Sequence, residues 1–232
     1  MKMKTRLLTV LFSSFVLFSC TQDGYETGEG EYSLLRADLV DVHVNGERRV
    51  DYVLTDDSDS LRTQRPFTVG WIETADTTYR ALLYYKLKDG NVEGYSMGQV
   101  LVPNIKPVSR FKGGMKTDAV HLTSLWRARN GRYLNMRLRV MTGSEEGAEP
   151  HKQAFGCGSD TLITHADGHR TLYLRLYHDQ GGQPEYYSRD VYLSIPINHV
   201  EADTLVVSMQ TYDGLIVKKL TNKPSEKKQS NS

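Results

Sequence analysis

The chain has 232 residues, 29 of them basic and 28 acidic, for a formal net charge of +1. That balance offers no basic face for nucleic acid and no electrostatic pull toward anionic lipid. Two cysteines, Cys20 and Cys157, are too few for a disulfide scaffold, so a fold of this length must rest on its hydrophobic core.

At the N-terminus, Lys2, Lys4 and Arg6 precede an apolar run from Leu7 to Phe18 and then Ser19-Cys20. A basic n-region, an apolar h-region and a small residue before the cut form a signal peptide over residues 1–19. The run is about a dozen residues, short of the roughly 20 a spanning helix needs. A cysteine just after the cut resembles the lipobox of bacterial lipoproteins, which implies acylation of Cys20. Stable attachment takes more than one acyl chain, and a di- or triacylated cysteine meets that need. Cleavage would leave 26 basic and 28 acidic side chains. With Cys20 acylated, Cys157 has no intramolecular disulfide partner. Residues 20–31 read as an acidic, Gly-rich tether, similar to the surface-export signal of Bacteroidetes lipoproteins.

Period-2 alternation dominates the rest. Val40, Val42 and Val44 alternate with Asp41 and His43, and Asn45-Gly46 supplies a hairpin turn. The return strand sets Val50, Tyr52 and Leu54 against Asp51 and Val53. Asp56 to Asp59 read as a solvated turn, lacking the Gly and terminal Glu of an EF-hand loop. Phe67, Val69 and Trp71 alternate next, then Arg80 to Lys88 forms a longer strand, and Val100 to Val102 stops at Pro103. A second series follows: Leu134, Met136, Leu138 and Val140; Leu172, Leu174 and Leu176; Val191, Leu193 and Ile195; Leu205, Val207 and Met209. Short strands with frequent turns predict an all-β chain. The N-terminal block, residues 32–112, is expected to be an OB-like, partly open barrel. Residues 113–221 are expected to form an Ig-like antiparallel β-sandwich, with the boundary in the turn-rich stretch from Phe111 to Lys116. Residues 222–232 read as a disordered polar tail.

Trp126, Gly131-Arg132-Tyr133-Leu134-Asn135, His151-Lys152 and Leu172 to Asp179 together resemble the NigD-like lipoproteins of Bacteroidetes. The resemblance implies an OB-like barrel followed by a β-sandwich on a lipid anchor, and it supplies no catalytic residues. Structural roles are expected for its motif residues: Trp126 and Tyr133 in the start of the sandwich core, Asn135 outward or capping an edge, His178 at a solvated strand end. Arg127-Ala128-Arg129-Asn130 makes the loop before Gly131 more basic than the resemblance leads one to expect.

Candidate chemistry is sparse. His165, Asp167 and His169 are weak candidates for a metal, because Asp167-Gly168 is a turn signal and the histidines then flank a hairpin. Cys157 between two glycines lacks a fixed base. No Gly-x-Ser-x-Gly elbow, phosphate loop or zincin helix occurs. No enzyme activity and no cofactor are expected. Trp71, Tyr85 and Tyr186 are the candidate contacts for a partner or a glycan. The sequence leads to a lipid-anchored accessory protein of the cell envelope, an outer-membrane lipoprotein with surface exposure as a further expectation. Its expected role is to bind an envelope protein or peptide and no nucleic acid. A glycan-binding lipoprotein, and a metal-dependent hydrolase using His165 and His169, are the alternatives.

Overall fold

The computed structural model describes residues 34–144 and 152–222. The described residues form an all-β chain of thirteen strands and one 3-10 turn. No helix among them is long and apolar enough to cross a membrane.

Strands β1 (Arg36–Val44), β2 (Val50–Thr55), β3 (Ser60–Phe67), β4 (Thr77–Lys88) and β5 (Asn91–Gln99) close a barrel in the order β1-β2-β3-β5-β4. Its pairings are antiparallel except for β3 with β5, which meet in parallel at the single pair Thr63 and Val92. That single parallel pair completes the closure, so the barrel is closed where a partly open one was expected. Val40, Val42, Val44, Ala81, Leu83 and Tyr85 fill the interior from β1 and β4, as alternation requires.

The return strand departs from the simple pattern. Val50 and Val53 are buried, whereas Tyr52 is exposed and stacks on His43. A register shift between Val50 and Tyr52 changes the phase of the alternation. The Phe67-Val69-Trp71 strand ends at Phe67, and residues 68–76 form a loop that buries Ile72. Strands β3 and β5 carry polar or glycine residues at many exposed positions, so hydrophobic periodicity does not announce them.

The sandwich pairs a five-stranded sheet, β13-β12-β10-β9-β6, with a three-stranded sheet, β11-β8-β7. Its strands are β6 (Ile105–Pro107), β7 (His121–Arg127), β8 (Tyr133–Thr142), β9 (Ala154–Thr164), β10 (Arg170–Asp179), β11 (Tyr187–Pro196), β12 (Thr204–Thr211) and β13 (Gly214–Thr221). The pairs β10 with β12 and β6 with β9 run parallel within an otherwise antiparallel arrangement. Leu134, Met136, Leu138 and Val140 of β8 face Leu174, Leu176, Leu205, Val207 and Met209 across a dry core. The chain enters the sandwich at Ile105, upstream of the Phe111 to Lys116 stretch, because three residues stopped by Pro107 are too few to show alternation. Asn222, first residue of the polar tail, is tied by its backbone N–H to Asp203 O and by its amide to Val200 O and Ala202 O. The rest of the tail, residues 1–33 with Cys20 and the tether, and residues 145–151 lie outside the described residues.

Residues from Leu35 onward cluster as one compact unit, so barrel and sandwich belong together. The reason is polar and lies between them.

Candidate functional site

Alternation puts Ala81 inside the barrel, so its neighbour Arg80 points outward. Asp41 does the same between Val40 and Val42, and the two are direct cross-strand partners on β1 and β4. On the sandwich, Asn135 of β8 and Ser194 of β11 are likewise paired in register and point out of the core. These two outward pairs bury each other: Asp41, Arg80, Asn135 and Ser194 are all at most 5% exposed.

Arg80 holds the junction. Its Nη2 donates to both oxygens of Asp56 at 2.7 and 2.8 Å, and Nε donates to Ser194 Oγ at 3.0 Å. Ser194 passes the bond on to Asn135 Oδ1 at 2.8 Å, and Asn135 Nδ2 closes the ring on Asp56 Oδ2 at 2.7 Å. The guanidinium lies 4.2 Å from the centre of the Tyr133 ring, whose hydroxyl donates to Asp41. Arg132 pairs with the other Asp41 oxygen. Burial raises the Asp56 carboxyl above its ordinary value, opposed by Arg80 and by the Asn135 hydrogen bond. Backbone bonds reinforce the joint. Leu101 exchanges bonds with Tyr192 and Ser194, and the Asn130 N–H and amide reach Asp56 O and Thr55 O.

The clamp holds open a cleft of about 670 Å³ beside it, walled by both domains. The barrel wall presents Asp57, Asp59, Leu61, Tyr84 and Leu87, and the sandwich wall presents Trp126, Arg127, Arg129, Arg137 and Tyr192. This volume lies in the range of ligand pockets, which favour junctions between domains. Arg127 is half-buried, and burial holds its pKa below the ordinary value.

The family of NigD-like C-terminal beta sandwich domains matches residues 104–227, more than half of the chain. The chain belongs to the NigD-like family. A NigD-like immunity protein from Bacteroides caccae is 25% identical and superposes with a TM-score of 0.65, over 80% of this chain and 96% of that one. A Bacteroides vulgatus protein of unknown function is 16% identical, with a TM-score of 0.60 over 81% of this chain and 90% of its own. A Parabacteroides distasonis protein described as toxin-related is 17% identical, with a TM-score of 0.60 over 82% of this chain and 94% of its own. The last two share the fold. No curated protein matches the sequence.

In this NigD-like chain the family motif residues serve the junction more than the sandwich core. Trp126 lines the cleft and Tyr133 stacks under Arg80, where a core role was expected for both. Asn135 does point outward, but onto the barrel and not into solvent. His178 is fully buried: its Nδ1 donates to Asp118 O at 3.0 Å and its ring stacks on Phe155. The carboxylate of Asp56, read as part of a solvated turn, is the chief partner of Arg80. No hydrophobic pattern marks Arg80, Asp41 or Asn135; the available signal is their alternation with core residues on strands whose outer faces must meet something.

The candidate contacts lie apart. Tyr85 is 1% exposed, its ring in the barrel interior and its hydroxyl donating to Asp38. Tyr84 and Tyr85 both line the cleft, Tyr84 being the more exposed of the two. Trp71 is half-buried, its Nε1 donating to Met97 O and its ring edge-on to Tyr79. Tyr186 stands 66% exposed at the far end of the sandwich, beside Gly143 and Pro184. His165 and His169 flank the β9–β10 hairpin turn, with Asp167 accepting the His169 backbone N–H. Their Nε2 atoms meet different hydroxyls, Thr171 and Thr204. Among the described residues no group of three or more His, Cys, Asp or Glu is placed to hold a metal ion. Cys157 faces the core, and burial pushes its thiol up to about 12. An added Cβ on Gly156 or Gly158 would press on Phe111, or on Val108 and Met115, which explains the glycines beside it.

Proposed function

We propose that this protein is a non-catalytic binding module of the cell envelope, held to the membrane by lipid on Cys20, which engages a protein or peptide partner through the cleft between barrel and sandwich. The observation that carries the reading is the cleft wall. Trp126, Tyr84 and Tyr192 stand there beside arginines, and tryptophan, tyrosine and arginine are the residues that dominate binding energy at protein interfaces. The clamp also fixes the two walls, which spares a binding partner the cost of ordering them. An immunity role, given to the Bacteroides caccae relative, is a binding role of this kind, and immunity proteins rank among the tightest protein binders. A glycan reading is weaker, since Tyr85 is inside the barrel and Trp71 is half-buried.

The test is photo-crosslinking in the native cell. Benzoylphenylalanine at position 126 should trap a discrete partner, and the same group at Val217, on the outer face of β13, should trap none. Equal products from both positions, or none from 126, would remove the reading. The anchor is tested separately: Cys20→Ser should abolish incorporation of labelled palmitate.

A further inference from the structure

Within the cleft the charges are unevenly spent. Asp38 accepts the Tyr85 hydroxyl, Asp56 is held by Arg80 and Asn135, and Asp57 faces Arg129 at 3.4 Å. Among the described residues only Asp59 of these four cleft acids, itself exposed, keeps its carboxylate uncommitted. The cations are less satisfied. Among the described residues Arg127 meets no carboxylate: its Nε meets Asn222 Oδ1 at 3.4 Å and its Nη1 meets Ala128 O at 3.5 Å, both long and both neutral. Arg137 gives Nη2 to Asp190, but its Nε is buried with no hydrogen-bond partner among the described residues. Arg36, on the barrel wall, is exposed.

A half-buried guanidinium without a carboxylate carries a desolvation cost that an anionic group would offset, in a geometry that suits a carboxylate. We infer that the cleft binds an acidic protein segment, an extended stretch whose Asp or Glu carboxylate seats against Arg127 and whose apolar neighbours lie along Trp126, Leu61 and Leu87. This rests on the partner reading above and adds its chemistry. Apolar side chains on both walls, and Asp59 at the rim, suit a peptide with alternating apolar and acidic residues better than a bare polyanion. The basic Arg127-Ala128-Arg129 loop, conspicuous in the sequence, finds a use here.

The experiment is fluorescence polarisation with the full chain in detergent. The probes are a labelled six-residue peptide of alternating Leu and Glu, its Leu/Lys counterpart, and inorganic phosphate as competitor. The Glu peptide should bind, the Lys peptide should not, and millimolar phosphate should leave binding unchanged. Arg127→Gln should weaken the Glu peptide by about tenfold or more, the loss of a charge-assisted hydrogen bond. Arg36→Gln, exposed and so neutral for folding, should weaken it by a smaller factor. Equal binding of both peptides, displacement by phosphate, or full affinity in both variants would overturn the inference. A partner trapped from position 126 by a chain that ignores the Glu peptide would end this inference and leave the partner reading intact. No trapped partner at all would end that reading first.

Discussion

The inner face of β8 buries Leu134, Met136, Leu138 and Val140 completely; on its outer face, Asn135 is equally buried. The inner face is dry, and each aliphatic side chain there contributes about 1.5–3 kcal/mol by leaving water. The outer face is a lattice of charge and amide closed around Arg80. Removing such groups from water is costly, and their mutual bonds return little more than that cost. One face of the strand therefore supplies stability. The other fixes where the barrel sits, because the lattice closes only when Asp41, Asp56, Arg80, Asn135 and Ser194 are all in place. Nonspecific apolar packing would tolerate a range of placements, and the cleft walls would drift with it.

Breaking the polar face should have the largest effect. Arg80→Ala strands Asp56 and much of the Asn135–Ser194 pair in a buried site, for an expected loss of about 3–5 kcal/mol. A urea midpoint equal to the parent's would show that the lattice does not hold the domains. The sharper form is the double variant Arg80→Met, Asp56→Leu, which replaces the bidentate pair with apolar groups. It should recover more than half of the lost stability, while photo-crosslinking from position 126 stays impaired because the orienting bonds are gone. Leu193→Ala, on the inner face of the same sheet, should cost about 2–5 kcal/mol through its cavity. Here no charge is left behind, so the cost falls on thermal midpoint alone, by about 2–4 °C per kcal/mol for a chain of this size.

The same contrast explains how far the sequence could be read. The inner faces of β8, β10, β11 and β12 are legible residue by residue, because burial against one apolar core enforces period 2 on Leu, Val, Met and Ile. The barrel's β1 and β4 are legible for the same reason. The candidate site is not. Arg80, Asp41 and Asn135 have the composition of a solvated face, and only the presence of a second domain over them turns that face inward. Tyr85 shows the limit from the other side: in Tyr84-Tyr85 alternation guarantees that one ring is buried, and only the phase of β4, set by Ala81 and Leu83, says which. The bulge at Val50 and Tyr52 removed even that guide from β2.

A third kind of covering tests whether outer faces in this fold are generally occupied. On β9, Gly158 points away from the core into Val108 and Met115, and a Cβ there would come within 2.9 Å of Val108 Cγ1. Gly158→Ala should therefore destabilise by about 1–3 kcal/mol, as overpacking does. Met115→Ala in the same chain should return part of it. A Gly158→Ala variant as stable as the parent would mean that this apolar cover yields freely, unlike the polar one over β8.

The smallest expected effect separates the two faces by pH. His178 is buried at the end of β10, its Nδ1 bonded to Asp118 O and its Nε2 without a partner among the described residues. Burial lowers its pKa from the ordinary 6.5, although Asp118 and Asp179 pull it upward. Below pH 6.5 the unfolded chain then takes up a proton that the folded ring resists. This ring's share of stability is complete above that pH and is lost as pH falls toward the folded value. One proton allows a slope of at most about 1.4 kcal/mol per pH unit. His178→Phe keeps a ring against Phe155 and removes the titration. Urea midpoints at pH 7.5 and 5.5 should fall further in the parent than in this variant. Equal falls would move the acid sensitivity away from His178 and out of the buried end of β10.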